Sequence, residues 1–160
     1  MILVALLFSL VDAFPSPTKT AWMSPESFHV AVGMQRKRVL AQLTGAGWKP
    51  HKGKAPNHLL IEVGQTKTVT LEFQHDRLHS IRFELFDFLP DVTAAFKEEA
   101  AALVKRYGPP KAGVKSKSIV IYDQITPNIM VVLSTDPTTT AGKQGLGFMT
   151  VRYFESPPAE

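Results

Sequence analysis

The chain changes hydrophobic period from helical to strand-like, and it does so twice. Over residues 34–44, Val39, Leu40 and Leu43 recur at helical spacing while Lys37 and Arg38 face water. Arg36 falls beside the apolar stripe and has to reach outward along its own stem. Gly45-Ala46-Gly47 closes that helix. Period two then takes over. Three strands are expected at 58–63, 67–73 and 79–86, with Val69, Leu71 and Phe73 on one face of the second and Ile81, Phe83 and Leu85 inward on the third. Gly64-Gln65 and His75-Asp76-Arg77 supply the turns.

The second change follows at once. Pro90-Asp91 opens another helix, with Asp91 as its expected cap. Its stripe reads Val92, Phe96, Ala100, Leu103 and Tyr107. Lys105 and Arg106 suit the C-terminal end of the helix dipole, and Gly108-Pro109-Pro110 stops the helix. Strands are expected at 118–123, 128–134 and 146–155, with a Thr- and Gly-rich loop over 135–145. The expected fold is therefore α+β: two helices packed on an antiparallel sheet of about six strands. Trp48 and Tyr107 lie 59 residues apart, Leu60 and Val120 60, and Leu71 and Val132 61, so two α-β-β-β repeats are expected, at 28–88 and 89–155. One such unit buries too little to stand alone, and the two should share a core.

Outside the domain at 28–155, the ends read differently. Nine of the first ten residues are apolar, Val11 and Ala13 occupy the small positions of a signal-peptidase site, and Phe14-Pro15-Ser16-Pro17 breaks the run. Such a run suits a signal peptide at 1–13 and is too short to span a bilayer. Residues 14–27, rich in Pro, Ser and Thr, are expected to be a flexible lead-in; Phe28 to Val32 is expected to be extended; residues 156–160 form a polar tail. The expected location is secreted or periplasmic.

The glycine stop before Trp48, the turn His75-Asp76-Arg77-Leu78 and the helix end Lys105-Arg106-Tyr107-Gly108-Pro109-Pro110 together resemble a loose set of small exported bacterial domains of unknown function. Their helix-plus-three-strand repeat is similar to that of the β-lactamase inhibitory proteins and, more distantly, of the small outer-membrane assembly lipoproteins. The resemblance covers residues 28–154 and implies a non-catalytic protein–protein role. It carries over no functional residue. This chain has no cysteine, so it departs from the lipoproteins at their lipid-attachment position.

The absence of cysteine also excludes disulfides, thiolate metal sites and thiol nucleophiles. No other motif assigns catalytic roles. His75 and His79 have the i, i+4 spacing of a helical zinc pair but flank a hairpin turn, and His51 and His58 bracket a Lys-rich loop without a carboxylate, so solvated histidines and no metal are expected. No Gly-x-Ser-x-Gly elbow occurs. Gly142-Lys143-Gln144-Gly145 places its lysine too early for a phosphate loop. Asp91, Glu98 and Glu99 read as neighbours on a solvated helix face. No cofactor is expected.

Two basic loops remain. Lys49, Lys52 and Lys54 follow the first helix beside Trp48; Lys111, Lys115 and Lys117 follow the second beside Tyr107. These eight residues are the candidate binding surface, for an envelope protein or an anionic surface. A formal charge of +4 on an exported chain does not point to nucleic acid. The leading expectation is an exported, non-catalytic interaction module acting through the sheet face or the basic loops. The alternative is a small envelope hydrolase with a histidine general base, which requires a closed pocket lined by a histidine and a carboxylate.

Overall fold

A computed structural model describes residues 21–110, 119–126, 128–136 and 145–156. The signal-like segment, residues 14–20, Lys111 to Ser118, Pro127, residues 137–144 of the expected loop and residues 157–160 lie outside them. The elements are α1 (Arg36–Gly45), β1 (His51–Lys52), β2 (His58–Glu62), β3 (Lys67–Gln74), β4 (Arg77–Phe88), α2 (Leu89–Tyr107), β5 (Ile119–Thr126), β6 (Ile129–Asp136) and β7 (Leu146–Glu155). The architecture is α+β, with two helices and one antiparallel sheet of seven strands. The added strand is β1, two residues inside the first basic loop that pair with Leu59 and Leu60. So short a strand leaves no period in the sequence.

Strand order is β1-β2-β3-β4-β7-β6-β5. Each meander is built from local hairpins, and β4 joins β7 over nine residue pairs from Ser80–Phe154 to Phe88–Leu146. The β3–β4 hairpin turns on His75 and Asp76, both at positive φ (47° and 62°). That left-handed pair is the backbone of a two-residue hairpin turn, which a β-branched residue would resist. The start of α1 is clipped to this hairpin: Gly33 N–H donates to Leu78 O (2.7 Å), Leu78 N–H to Met34 O (2.8 Å) and Arg36 N–H to Asp76 O (2.8 Å). Arg36 is half-buried, its guanidinium lying 4.9 Å from the centre of the buried Phe73 ring.

One face of the sheet is covered. Alternation delivers Leu59 and Ile61, Val69 and Leu71, Ile81 and Phe83, Val131 and Leu133, and Met149, Val151 and Tyr153 to it, all buried. Helix α2 lies on this face across β4, β7 and β6, and presents Val92, Ala95 and Leu103 to it. Its first turn comes close because β7 has Gly147 there: a Cβ would stand 3.1 Å from both Leu89 and Val92. The helix starts one turn earlier than expected, at Leu89, so Asp91 lies within the first turn rather than at the cap. An acid in that turn still complements the helix dipole.

Helix α1 adds Val39 and Leu43 to this core, and the rest of the cover comes from a segment the sequence leaves without a period. Residues 25–28 form a 3₁₀ turn (Pro25–Phe28), and Met23, Pro25 and Phe28 are buried, so this part of the expected flexible lead-in is packed. Phe28 does not begin a strand, because His29 takes a left-handed conformation (φ 54°) and turns the chain. Phe83 sits among Trp22, Phe28 and Tyr153 with ring centres 5.9–6.0 Å apart, and Phe28 packs on Trp48 at 4.8 Å. Phe83→Ala should therefore cost about 3–5 kcal/mol of stability, as emptying a large aromatic site does. Phe88→Ala, on the exposed face of the same strand, should change stability by less than about 0.5 kcal/mol. Denaturant unfolding of both variants checks the pair.

Candidate functional site

Neither helix lies on the second face of the sheet; among the described residues the turn at residues 53–55 overhangs it along the β2 side. The side chains that alternate with the core point to it: Leu60 on β2, Thr70 and Glu72 on β3, Ser80, Arg82, Glu84, Phe86 and Phe88 on β4, and Thr150 and Arg152 on β7. Register sets the chemistry. Arg82 and Arg152 are direct partners across β4 and β7, at the centre of the sheet. Like charges placed opposite each other repel, so neighbours have to compensate. Arg152 donates from Nε to Ser80 Oγ (2.8 Å) and from Nη2 to Glu72 (3.2 Å), and its guanidinium lies 5.2 Å from the Phe154 ring centre. Arg82 has Glu84 at 3.5 Å. Glu84 also accepts from the hydroxyls of Thr70 (3.2 Å) and Thr68 (3.4 Å). Ser134 and Thr150 share a 2.6 Å hydrogen bond beside this group.

The polar centre has an apolar end. Phe86 is 42% exposed and Phe88 63%. Phe86 pairs across the strands with Phe148, and Phe88 with Leu146. Toward the β1 edge the face is hollowed. A cavity of about 420 Å³ lies beneath the turn at residues 53–55, with Lys54, His58, Leu60, Thr70, Arg82 and Glu84 in its lining. A small recess of about 30 Å³ joins His58 to Glu72, Ser80 and Arg152. Backbone bonds fix the turn: Gly53 N–H donates to His58 O (3.0 Å) and His58 N–H to Ala55 O (3.0 Å). Gly53 allows this approach, since a Cβ there would stand 2.7 Å from His58 Cβ.

Five of the eight residues of the expected binding surface are among the described residues. Lys49 and Lys52 are exposed near β1, and Lys54 lines the cavity. Trp48 and Tyr107 are partly buried against the core rather than set out as aromatic edges. Lys111, Lys115 and Lys117 lie outside the described residues, and β5, the strand that follows them, is the edge opposite β1. Across six strand intervals that separation is about 29 Å. Of the histidines, His29, His51 and His75 are exposed, His79 lies 3.4 Å from Glu155, and His58 lines the cavity. No three His, Cys, Asp or Glu side chains among the described residues gather to hold a metal ion.

Beneath the covered face is a group that sequence reasoning missed. Glu99 is 2% exposed and does not stand on a solvated face with Glu98. The spacing 92, 95, 99, 103 puts it on the buried stripe, which the choice of Phe96 and Ala100 as core positions concealed. Nearby, the Tyr153 hydroxyl accepts from Arg106 Nη1 (3.0 Å). Burial pushes the Tyr153 phenol well above its ordinary value; Tyr107, Glu99 and Glu26 add to the rise, and Arg106 opposes it. Tyr153 and Tyr107 also border an apolar cavity of about 210 Å³ with Val30, Val32, Ile125 and Ile129.

In comparison with known proteins, no family model matches the chain, and no curated protein or solved structure matches it. No described helix is long and apolar enough to cross a membrane.

Tyr153 gives a prediction whose sign follows from proton linkage. A phenol raised in the folded state keeps its proton after the unfolded chain loses it, so its contribution is full below about pH 10 and is lost as pH rises further. Stability should therefore be lower at about pH 11 than at about pH 9. Tyr153→Phe should cost about 0.5–1.5 kcal/mol at neutral pH and make the alkaline decline shallower. Denaturant midpoints measured against pH test both parts.

Proposed function

We propose that the chain is an exported, non-catalytic interaction module that binds a protein partner across the uncovered face of its sheet. The observation that carries this reading is the exposure of Phe86 and Phe88 next to Arg82 and Arg152 on one continuous surface. Aromatic and arginine side chains are the residues enriched where protein interfaces concentrate their energy. The partner has an apolar patch flanked by carboxylates, the complement of this surface. Export rests on the apolar run before Phe14. The same reading takes the two helix-plus-three-strand units as repeats. The row Leu60–Thr70–Arg82 on one side of the sheet centre corresponds to Ile121–Val132–Arg152 on the other, which supports a two-fold relation about the arginine pair. In this relation Val132 corresponds to Thr70, on the same face, and not to buried Leu71 on the opposite one.

The test is retention from native envelope extract by the immobilised full chain, at low and moderate salt. The wild type should retain one stoichiometric protein, and the double variant Phe86→Ser, Phe88→Ser should lose it with its unfolding midpoint little changed. Equal retention by the variant, or retention of nothing, overturns the reading. Self-association of the wild type abolished by the same variant overturns the foreign partner and assigns the face to a second copy.

A second reading, a small hydrolase, is favoured by one observation: His58 shares its cavity with Glu84, and the adjoining recess with Glu72. In that reading His58 activates a water and a glutamate orients the ring. The cavity is an open hollow, and the nearest hydroxyls are engaged, Thr70 with Glu84 and the Ser80 oxygen by Arg152. Wild type and His58→Ala should hydrolyse an activated ester such as p-nitrophenyl acetate at the same slow rate. A loss of about a hundredfold in the variant would establish the hydrolase.

A further inference from the structure

The cavity beneath the turn at residues 53–55 has a composition that the exposed phenylalanines do not explain. Its walls contribute two fixed cations, Lys54 and Arg82, and one carboxylate, Glu84, with Leu60 and Ala55 as an apolar flank. Arg152 is already served by Glu72, Ser80 and the Phe154 ring. Arg82 is not: its Nε meets Glu84 at 3.5 Å, and Glu84 is shared with two threonine hydroxyls. A guanidinium has five N–H donors, so Arg82 keeps capacity for a bidentate acceptor. Lys54 forms no ion pair among the described residues and is exposed at the rim.

We propose that this cavity receives an acidic side chain of the protein partner, its carboxylate meeting Arg82 and Lys54 and its methylene stem lying against Leu60. The inference rests on the sheet-face reading above and names the chemistry of one contact within it. Three features select this occupant. The volume, about 420 Å³, lies near the lower end of ligand sites and suits one or two side chains. The cavity's single net positive charge matches a monoanion, whereas a phosphate dianion would be set against Glu84. The rim is already ordered by the Gly53 and His58 backbone bonds, and by Asn57, which donates from Nδ2 to Phe73 O (3.0 Å) and accepts from Phe73 N–H (3.0 Å). Ordering cost on binding is correspondingly small. Four residues of β4, about 13 Å of strand, separate Arg82 from Phe86. A partner segment in extended conformation therefore meets both with an acid and an apolar residue about four positions apart.

The probe is a blocked pentapeptide, acetyl-Glu-Gly-Ser-Gly-Phe-amide, titrated into the isotope-labelled full chain while backbone amide resonances are followed. The Gly53, Lys54 and His58 amides should shift and saturate. Replacing the peptide's Glu with Gln, or making Arg82→Gln in the protein, should weaken binding by about tenfold or more. A melting curve confirms that Arg82→Gln, an exposed position, remains folded. Absence of shifts, or equal binding by the Gln peptide, overturns the proposal. Inorganic phosphate, or vesicles of an anionic phospholipid, that saturate the same amides more tightly than the Glu peptide also overturn it. The two levels separate in the partner-retention experiment. Retention kept by Arg82→Gln and lost by Phe86→Ser, Phe88→Ser removes the cavity contact and leaves the sheet face; retention kept by both removes both.

Discussion

Everything in this structure hangs on the pairing of β4 with β7. Nine consecutive residue pairs, from Ser80–Phe154 to Phe88–Leu146, join strands distant in the chain and turn two local meanders into one sheet. Without it, three strands and a helix would each leave a hydrophobic face half covered. With it, α2 can lie over β4, β7 and β6 at once. The same pairing brings Phe83 against Tyr153 and so connects the aromatic cluster to the second half of the chain. Much of the uncovered face is also set by it, because the arginine pair, the Phe86–Phe148 pairing and the Arg152–Ser80 bond all cross this seam.

The two faces of the sheet solve different problems. The covered face excludes water with α1, α2, the 3₁₀ turn and Trp48; it holds Glu99 deep within that cover, while exposed Arg106 reaches in to the buried Tyr153 hydroxyl. A buried carboxylate on a core stripe is costly, and its position follows from helix geometry rather than from solvation. The uncovered face is a lattice of charges and hydroxyls, in which Arg82 meets only Glu84 and the two phenylalanines stand exposed. Contacts left incomplete on an ordered surface are where a partner can add binding energy.

Much of the fold was legible in the chain. Eight of the nine helices and strands follow from period changes and stop signals, and β7 falls at the expected 146–155. Three things were not legible, each for a physical reason. β1 is too short to have a period. The 21–28 segment is held by tertiary packing of Trp22, Met23 and Phe28, which needs no repeat. Glu99 was hidden because a charged side chain on a helical stripe is assigned to water by residue type. The exposed phenylalanines could have been found: if Ile81, Phe83 and Leu85 face inward, strict alternation turns Phe86 and Phe88 outward.

The sequence by itself determined the local structure, meaning two helices with their glycine stops, the hairpin turn at His75 and Asp76, and which alternate residues of each strand could form a core. Those properties depend on neighbours within a few positions, where period and backbone preference act. Tertiary structure alone decided which residues share a surface. It separated the first basic loop from the edge strand that follows the second, set Arg82 against Arg152, and placed Lys54 beside Arg82 and Glu84. Strand order and register fix such neighbours, and both are properties of pairings between distant parts of the chain.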